Sequence, residues 1–363
     1  MGSPRRGLPR DGGGRRLDGG GRLKASRSAA IDQQSGPRSV YLAPTWLAAA
    51  IAVLLLVAVA GTMIGPAGLR PTELWEAIQG GGEDRTRAIL FKLRLPRVAL
   101  GALVGAALAT AGAAYQGVFR NPLVDPYLLG VAAGAGLGAT VAITAGWPLV
   151  PLAAFVGAIA AVVITYLVGR SLGGRTATSL VLAGVAAASF LTALQTFILQ
   201  RENDSLREVY AWILGRLSTA GWFEVRQAAP YVVVSLVVIL LHRRLLDALA
   251  VGDEEAAGLG IHVASVRFWV VCAATLGTAA AVSVSGLISF VGVIVPHAIR
   301  LVVGSSYRAV LPLAALLGAA FLIAADLAAR TVLAPAELPI GVITALCGAP
   351  FFVAVLRTSR RSL

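Results

Sequence analysis

Apolar residues along this chain fall in long blocks, not at the alternate spacing of a half-buried strand. One charge-free run of 22 residues, 98–119, is long enough to cross a hydrocarbon core of about 30 Å as a helix. Similar blocks predict ten spans, at about 46–64, 95–116, 127–146, 150–169, 177–199, 228–247, 267–286, 288–303, 309–329 and 338–357. The third and fourth share one run, 126–169, too long for a single crossing, with Gly146-Trp147-Pro148 as the turn. The eighth is short and contains Pro296. Two polar stretches separate the blocks. ENDSLREVYAWILGRLSTAGWFEVR (202–226) predicts a short amphipathic helix at the outer interface, with Trp212 and Trp222 at headgroup level. Residues 251–261, VGDEEAAGLGI, are too polar to span. They predict a small helix begun by Asp253 and closed at Gly258 or Gly260. It is either a solvated connector or a contact helix for a partner.

The second block has a particular texture. Gly101, Gly105, Ala109 and Gly112 recur three or four apart, which flattens one helix face and lets a neighbour approach closely. With Gln116 one turn on, this face is expected to line a pathway. A polar corner follows (Arg120, Asn121, Pro122, Asp125, Pro126), and Gly130, Gly134 and Gly138 begin a second flat helix.

Composition places all this in a membrane. The 363 residues are 57% hydrophobic and 13% charged, against about 25% charged in a soluble domain. A membrane barrel would alternate apolar and polar residues. The formal net charge is +13. Residues 1–45 carry nine Lys/Arg and three Asp in a Gly/Ser-rich context, which predicts a disordered basic cytoplasmic tail able to touch anionic lipid. Residues 46–363 form the transmembrane domain. With the N-terminus inside, cytoplasmic segments hold 20 of the 31 Lys/Arg and external ones 11, so both termini are expected in the cytoplasm. Arg94, Arg97 and Arg330 stand at external mouths. They either snorkel and pair locally, Arg330 with Asp326, or form a basic rim for an acidic partner. Asp326 and Glu337 flank Arg330 and read as its ion-pair partners, and His297 as a structural residue. Cys272 and Cys347 lie in apolar runs and read as small buried hydrophobes. No metal-ligand spacing occurs. Neither of the two lysines follows a GxxxxGK[ST] loop, so the chain has no P-loop with which to hydrolyse nucleotide.

From about Leu47 onward the chain resembles the FecCD family of ABC-importer permeases, which includes the vitamin B12, siderophore and haem permeases. The resemblance rests on LRLPR (93–97), GALVGAALATAGAAYQGVFRNPLVDPYLLGVAAGAGLGA (101–139), LAGVA (182–186), WILGRLS (212–218), GDEEAAGLGI (252–261), VSVSGLISFVGVIVPHAIR (282–300), AADLAAR (324–330) and ELPIGVITALCGAPFFVAVL (337–356). It implies an all-α fold of ten transmembrane helices in an inverted repeat of five plus five. It implies a multi-pass subunit in the bacterial plasma membrane that is not itself an enzyme. The pathway would form with a second permease, a copy or a paralogue. Two cytoplasmic ATP-binding subunits would use ATP and Mg, with no cofactor on this chain, and an extracytoplasmic binding protein would deliver the ligand. Nucleic acid has no place in this scheme.

The resemblance also assigns roles by position. Gly252, Asp253, Glu254, Glu255, Ala256, Ala257, Gly258, Leu259 and Gly260 match the segment that couples to the ATPase. Arg94, Arg97 and Arg330 match arginines that dock the binding protein. Gly101, Gly105, Ala109, Gly112 and Gln116 match the pathway wall, and Thr176, Thr178 and Ser179 the region of an inner gate. The implied cargo is a ferric siderophore first, then haem or a corrinoid. A gradient-driven transporter would explain the spans but not GDEEAAGLGI or the external arginines. A membrane scaffold would explain the glycines but not the broken eighth span.

Overall fold

Proline placement shapes the start of the chain. α1 (Pro44–Met63) opens on a proline, which needs no intrahelical donor there. The computed structural model describes residues 42–65, 68, 70–171, 177–218 and 221–359; the basic tail, up to residue 41, lies outside them. Two short helices, α2 (Pro71–Ile78) and α3 (Asp84–Ala88), follow α1. α3 runs through a π-helical turn, Ile89–Arg94, into α4 (Leu95–Phe119). In that turn the Leu95 N–H donates to the Leu90 carbonyl, five residues back. The next donor in the same register would be residue 96, a proline, so the Phe91 carbonyl is left without one. The Trp222 indole N–H fills the gap at 2.7 Å.

The remaining helices are α5 (Val131–Thr144), α6 (Val150–Ser171), α7 (Ala177–Arg201), α8 (Leu206–Ile213), α9 (Trp222–Leu241), α10 (Arg243–Val251), α11 (Asp253–Gly258), α12 (Val263–Ser285), α13 (Val291–Val303), α14 (Tyr307–Thr331) and α15 (Ile340–Ser359). Among the described residues the fold contains no strand. Among the described residues seven helices are long and apolar enough to cross a membrane: α1, the continuous 84–119 helix, α6, α7, α9, α12 and α14. α5, α13 and the apolar part of α15 are shorter. The 14 residues of α5 reach about 21 Å at 1.5 Å each, short of a full crossing. The ten expected blocks therefore appear as ten helices in the expected order, seven of them full-length.

Two local expectations shift. The sixth long helix starts at Trp222, not 228, because Glu224 accepts the Gly221 N–H at 2.8 Å and closes the first turn. Residues 243–251 then form α10 separately. Trp212 does not face outward: it is buried with Val209 against residues of α5 and α12. α8 thus turns its apolar stripe into the bundle.

α4 is the axis of the core. It packs against α14, α12, α13 and α9, and 83% of its spanning window is buried, against 11% for α1. A second cluster joins α5, α6, α8 and α12. The outward faces are apolar: Leu55 and Leu56 on α1, Leu167 on α6 and Phe190 on α7 are exposed, as helices facing lipid require. Cys272 and Cys347 lie on such exposed faces, unpaired, and not in the core. Exposure to hydrocarbon suits a thiol as well as burial does, which corrects their reading as buried residues.

Candidate functional site

α4 carries one polar cluster at each end, separated by its 25 residues, about 37 Å of helix. At the first end its opening turn brings Arg97 between α14 and the loop after it. The Arg97 guanidinium donates to both oxygens of Asp326 at 2.8–3.0 Å and to both of Glu337 at 3.0–3.1 Å. Arg330 lies 3.6 Å from Asp326 and donates to the Gly61 carbonyl. Arg94 donates to the Thr62 and Met63 carbonyls at 2.9 and 2.8 Å. These two carbonyls and that of Gly61 end α1 and lack intrahelical donors.

The three arginines therefore do not form an open rim. Arg94 and Arg330 are only 5% and 3% exposed. Their charges are spent on joining α1, α4 and α14. Arg97 is half-buried. Only Glu337, in the loop before α15, stands partly open to solvent, its side chain 34% exposed.

The flat face of α4 is also occupied from within. Gly101 meets Ile323 and Leu217, and Ala109 packs on Gly318. At Gly105 a Cβ would overlap the Gly318 carbonyl, and at Gly112 that of Gly292. Gln116 is buried; it donates to the Val124 and Gly292 carbonyls at 3.2 and 3.0 Å and accepts from Arg300 at 2.6 Å. Small residues here allow α13 and α14 to approach α4 at backbone distance. Within this chain they are packing residues, which corrects the pathway-wall assignment for Gly101, Gly105, Ala109, Gly112 and Gln116.

At the far end, α4 closes on Arg120 in the left-handed region (φ 50°). The Arg120 guanidinium lies 3.3 Å from Asp253, the first residue of α11, and Arg267 of α12 holds the same carboxylate at 3.1 Å. Inside α11 only Ala256 is fully buried. Glu254, Glu255, Ala257, Gly258 and Gly260 are exposed, Gly252 is buried, and Leu259 is 74% exposed. α11 is thus a short acidic helix with an exposed leucine beyond its end, lying between spanning segments. Of the residues assigned to a gate, Thr176 lies outside the described residues, Thr178 is exposed near the start of α7, and Ser179 is buried.

Sequence reasoning missed two ties at this level. The Tyr127 hydroxyl donates to the Ile288 carbonyl and accepts the Ile288 N–H, at 2.9 and 3.0 Å. It clamps the corner after α4 onto the break after α12, beside Phe290 at φ 69°, a strained position for a bulky residue. Asp247 of α10 accepts the Tyr307 N–H and the Ser306 hydroxyl at 2.6 and 2.9 Å, capping α14 from another helix. Partners this far apart in sequence leave no spacing signal.

Asp125 sits in the same corner and accepts the Tyr127 N–H at 2.8 Å. Burial pushes its carboxyl up to about 6, against that hydrogen bond.

Comparison with known proteins places this geometry. The model of the FecCD transport family matches residues 52–358. The cobalamin import system permease protein BtuC of Halobacterium salinarum is 43% identical over 77% of this chain and 76% of its own. The hemin transport system permease protein HmuU of Yersinia pestis is 37% identical over 85% of this chain and 94% of its own. The Fe(3+) dicitrate transport system permease protein FecD of Escherichia coli is 38% identical over 74% and 85%. A solved structure, described as an inward-facing metal-chelate type ABC transporter, superposes with a TM-score of 0.80 at 28% identity. It covers 87% of this chain and 99% of that one.

Proposed function

The chain belongs to the FecCD transport family, and on that premise we propose that it is the membrane-spanning permease subunit of an ATP-driven importer for metal chelates. The observation that carries the mechanism is α11. A six-residue acidic helix, held to the bundle by Asp253 and the buried Ala256 and otherwise exposed, is left unexplained by a gradient-driven transporter. It has the form of a plug for a groove on a partner ATPase.

In this reading residues 252–260 face the cytoplasm, as do both termini, and the Arg97 end faces out. Two permease chains, copies or paralogues, form the pathway, and two ATP-binding subunits seat the two α11 helices. ATP and Mg are used there, and this chain binds no cofactor. Motion of α11 reaches α4 through the Asp253–Arg120 pair and α12 through Asp253–Arg267. Both pairs are partly solvated, and a pair of that kind is worth about 0–1 kcal/mol, weak enough to remake during a cycle. An extracytoplasmic binding protein docks at the Arg97 end, where Arg97 and Glu337 come closest to the surface and Arg70, Arg85 and Arg87 are exposed. Thr178 and Ser179, with Thr176, stand at the inner gate.

The cargo is a ferric siderophore, haem or a corrinoid. Relatives are named for cobalamin, for hemin and for several iron complexes, and of these cargoes we put a ferric siderophore first. Cells with and without the gene, offered labelled ferric siderophore, haem and cobalamin in parallel, test this. Uptake of one ligand should vanish with the gene and fail on ATP depletion. Uptake that survives ATP depletion and collapses with the proton gradient overturns it.

A further inference from the structure

We propose that the protein holds an anionic phospholipid in a groove between α6 and α12, with acyl chain inside and phosphate at Arg267. The groove is a cavity of about 890 Å³. Its walls include Val163 and Leu167 of α6, Leu180 of α7, and Phe268, Val271 and Cys272 of α12. Both main walls belong to helices long and apolar enough to span a membrane. Water gains nothing in such a space, because it needs two to four polar partners. In a bilayer the available filler is hydrocarbon.

The position within the helices fixes one leaflet. α6 contributes residues 159–167 and α12 residues 264–276, the halves next to the face that carries α11. A lipid of that leaflet enters tail first with its headgroup at that face. The charge at the mouth selects the headgroup. Arg267 lines the groove one turn into α12. Its Nη2 is held by Asp253, but Asp253 is shared with Arg120. One carboxylate thus answers two guanidinium groups, and Nε of Arg267 has no acceptor among the described residues. Arg170 is exposed at the same end of α6. A phosphate supplies the missing negative charge and further acceptors in one group. The site does not depend on what the protein transports.

The test uses the full-length protein in nanodiscs of phosphatidylglycerol and phosphatidylcholine in equal amounts. One lipid or the other carries a photoactivatable acyl chain, and the labelled peptides are mapped by mass spectrometry. Peptides covering 159–167 and 264–276 should label more heavily than α1, although α1 is the more open to bulk lipid. The phosphatidylglycerol probe should exceed the phosphatidylcholine probe there by about fivefold, the equivalent of about 1 kcal/mol for one arginine. Cys272→Trp, which narrows the groove, should lower its labelling. Arg267→Gln should level the two headgroups, and Arg267→Lys should restore the preference. If Arg267→Gln does not fold, the Arg170→Gln and Cys272→Trp variants carry the comparison. Labelling no greater than on α1, equal labelling by both headgroups, or labelling indifferent to Cys272→Trp overturns the proposal. A groove shielded from both probes overturns it too, because a protein segment would then be the occupant.

Discussion

Arg97 holds two acids that differ in exposure, and the difference sets what each is worth. Asp326 is 3% exposed, and without Arg97 it keeps only the longer contact to Arg330. Removing one partner of a buried pair costs about 3–5 kcal/mol, because the other charge is stranded. Arg97→Gln is therefore expected to lower thermal stability in detergent sharply. Glu337→Gln, at a partly solvated carboxylate, should cost about 1 kcal/mol or less. Equal losses would show that the cluster is not organised around Asp326. Asp125 gives a second expectation. Its carboxyl titrates near 6 in the folded chain, above the ordinary range of about 4, so between those values the folded state binds the proton more tightly. By linkage, stability from this group is present below about pH 4 and is lost as pH rises towards 6. Asp125→Asn removes that slope and keeps an acceptor for the Tyr127 N–H. Melting curves of both proteins from pH 4 to 7 should converge at the acid end, with the wild type falling behind above pH 6. Parallel curves would mean that Asp125 has an ordinary pKa.

At the scale of the element, α11 separates contact from packing. Leu259 is bare to solvent, so Leu259→Ser should leave the permease within about 0.5 kcal/mol of its parent stability and still reduce capture of the ATPase subunit. Ala256→Pro removes the Ala256 N–H that binds the Gly252 carbonyl at 3.1 Å and should lose both helix and capture. Full ATPase association of Leu259→Ser would exclude this face from the interface. The helices themselves were largely legible, because an apolar block of twenty residues has one cheap solution in a bilayer. The slip at α9 has a local cause: the Gly221–Glu224 closure lies inside a stretch whose charge pointed to an interface. The role of the arginines was not legible. Arg97 finds Asp326 and Glu337 at sequence separations of 229 and 240, and nothing in the pattern distinguishes a rim charge from a buried clasp. The small residues of α4 had the opposite fault. They announced a close neighbour, and only the fold shows that the neighbour is Gly292 and Gly318 of the same chain.

At the scale of the whole, the described helices form one compact unit in which α4 is the most buried span, with one polar cluster at each end of it. The far cluster joins three segments through a single carboxylate, so Asp253→Asn should uncouple ATP hydrolysis from uptake while leaving the fold standing. ATPase rate and uptake, measured together in vesicles with the partner subunits, should diverge. If both fall in proportion, Asp253 serves assembly and not transmission. The short helices bear on how the chain is made. α13 has 13 residues, about 20 Å, too little for the insertion machinery to accept it as a free-standing crossing. It opens against Gly112 and Gln116 of α4, laid down nearly two hundred residues earlier. α13 is therefore expected to enter together with α14, as a hairpin onto a finished α4. Biosynthesis is thereby ordered: a ribosome stalled before α14 holds a nascent chain whose last segment has nowhere to go.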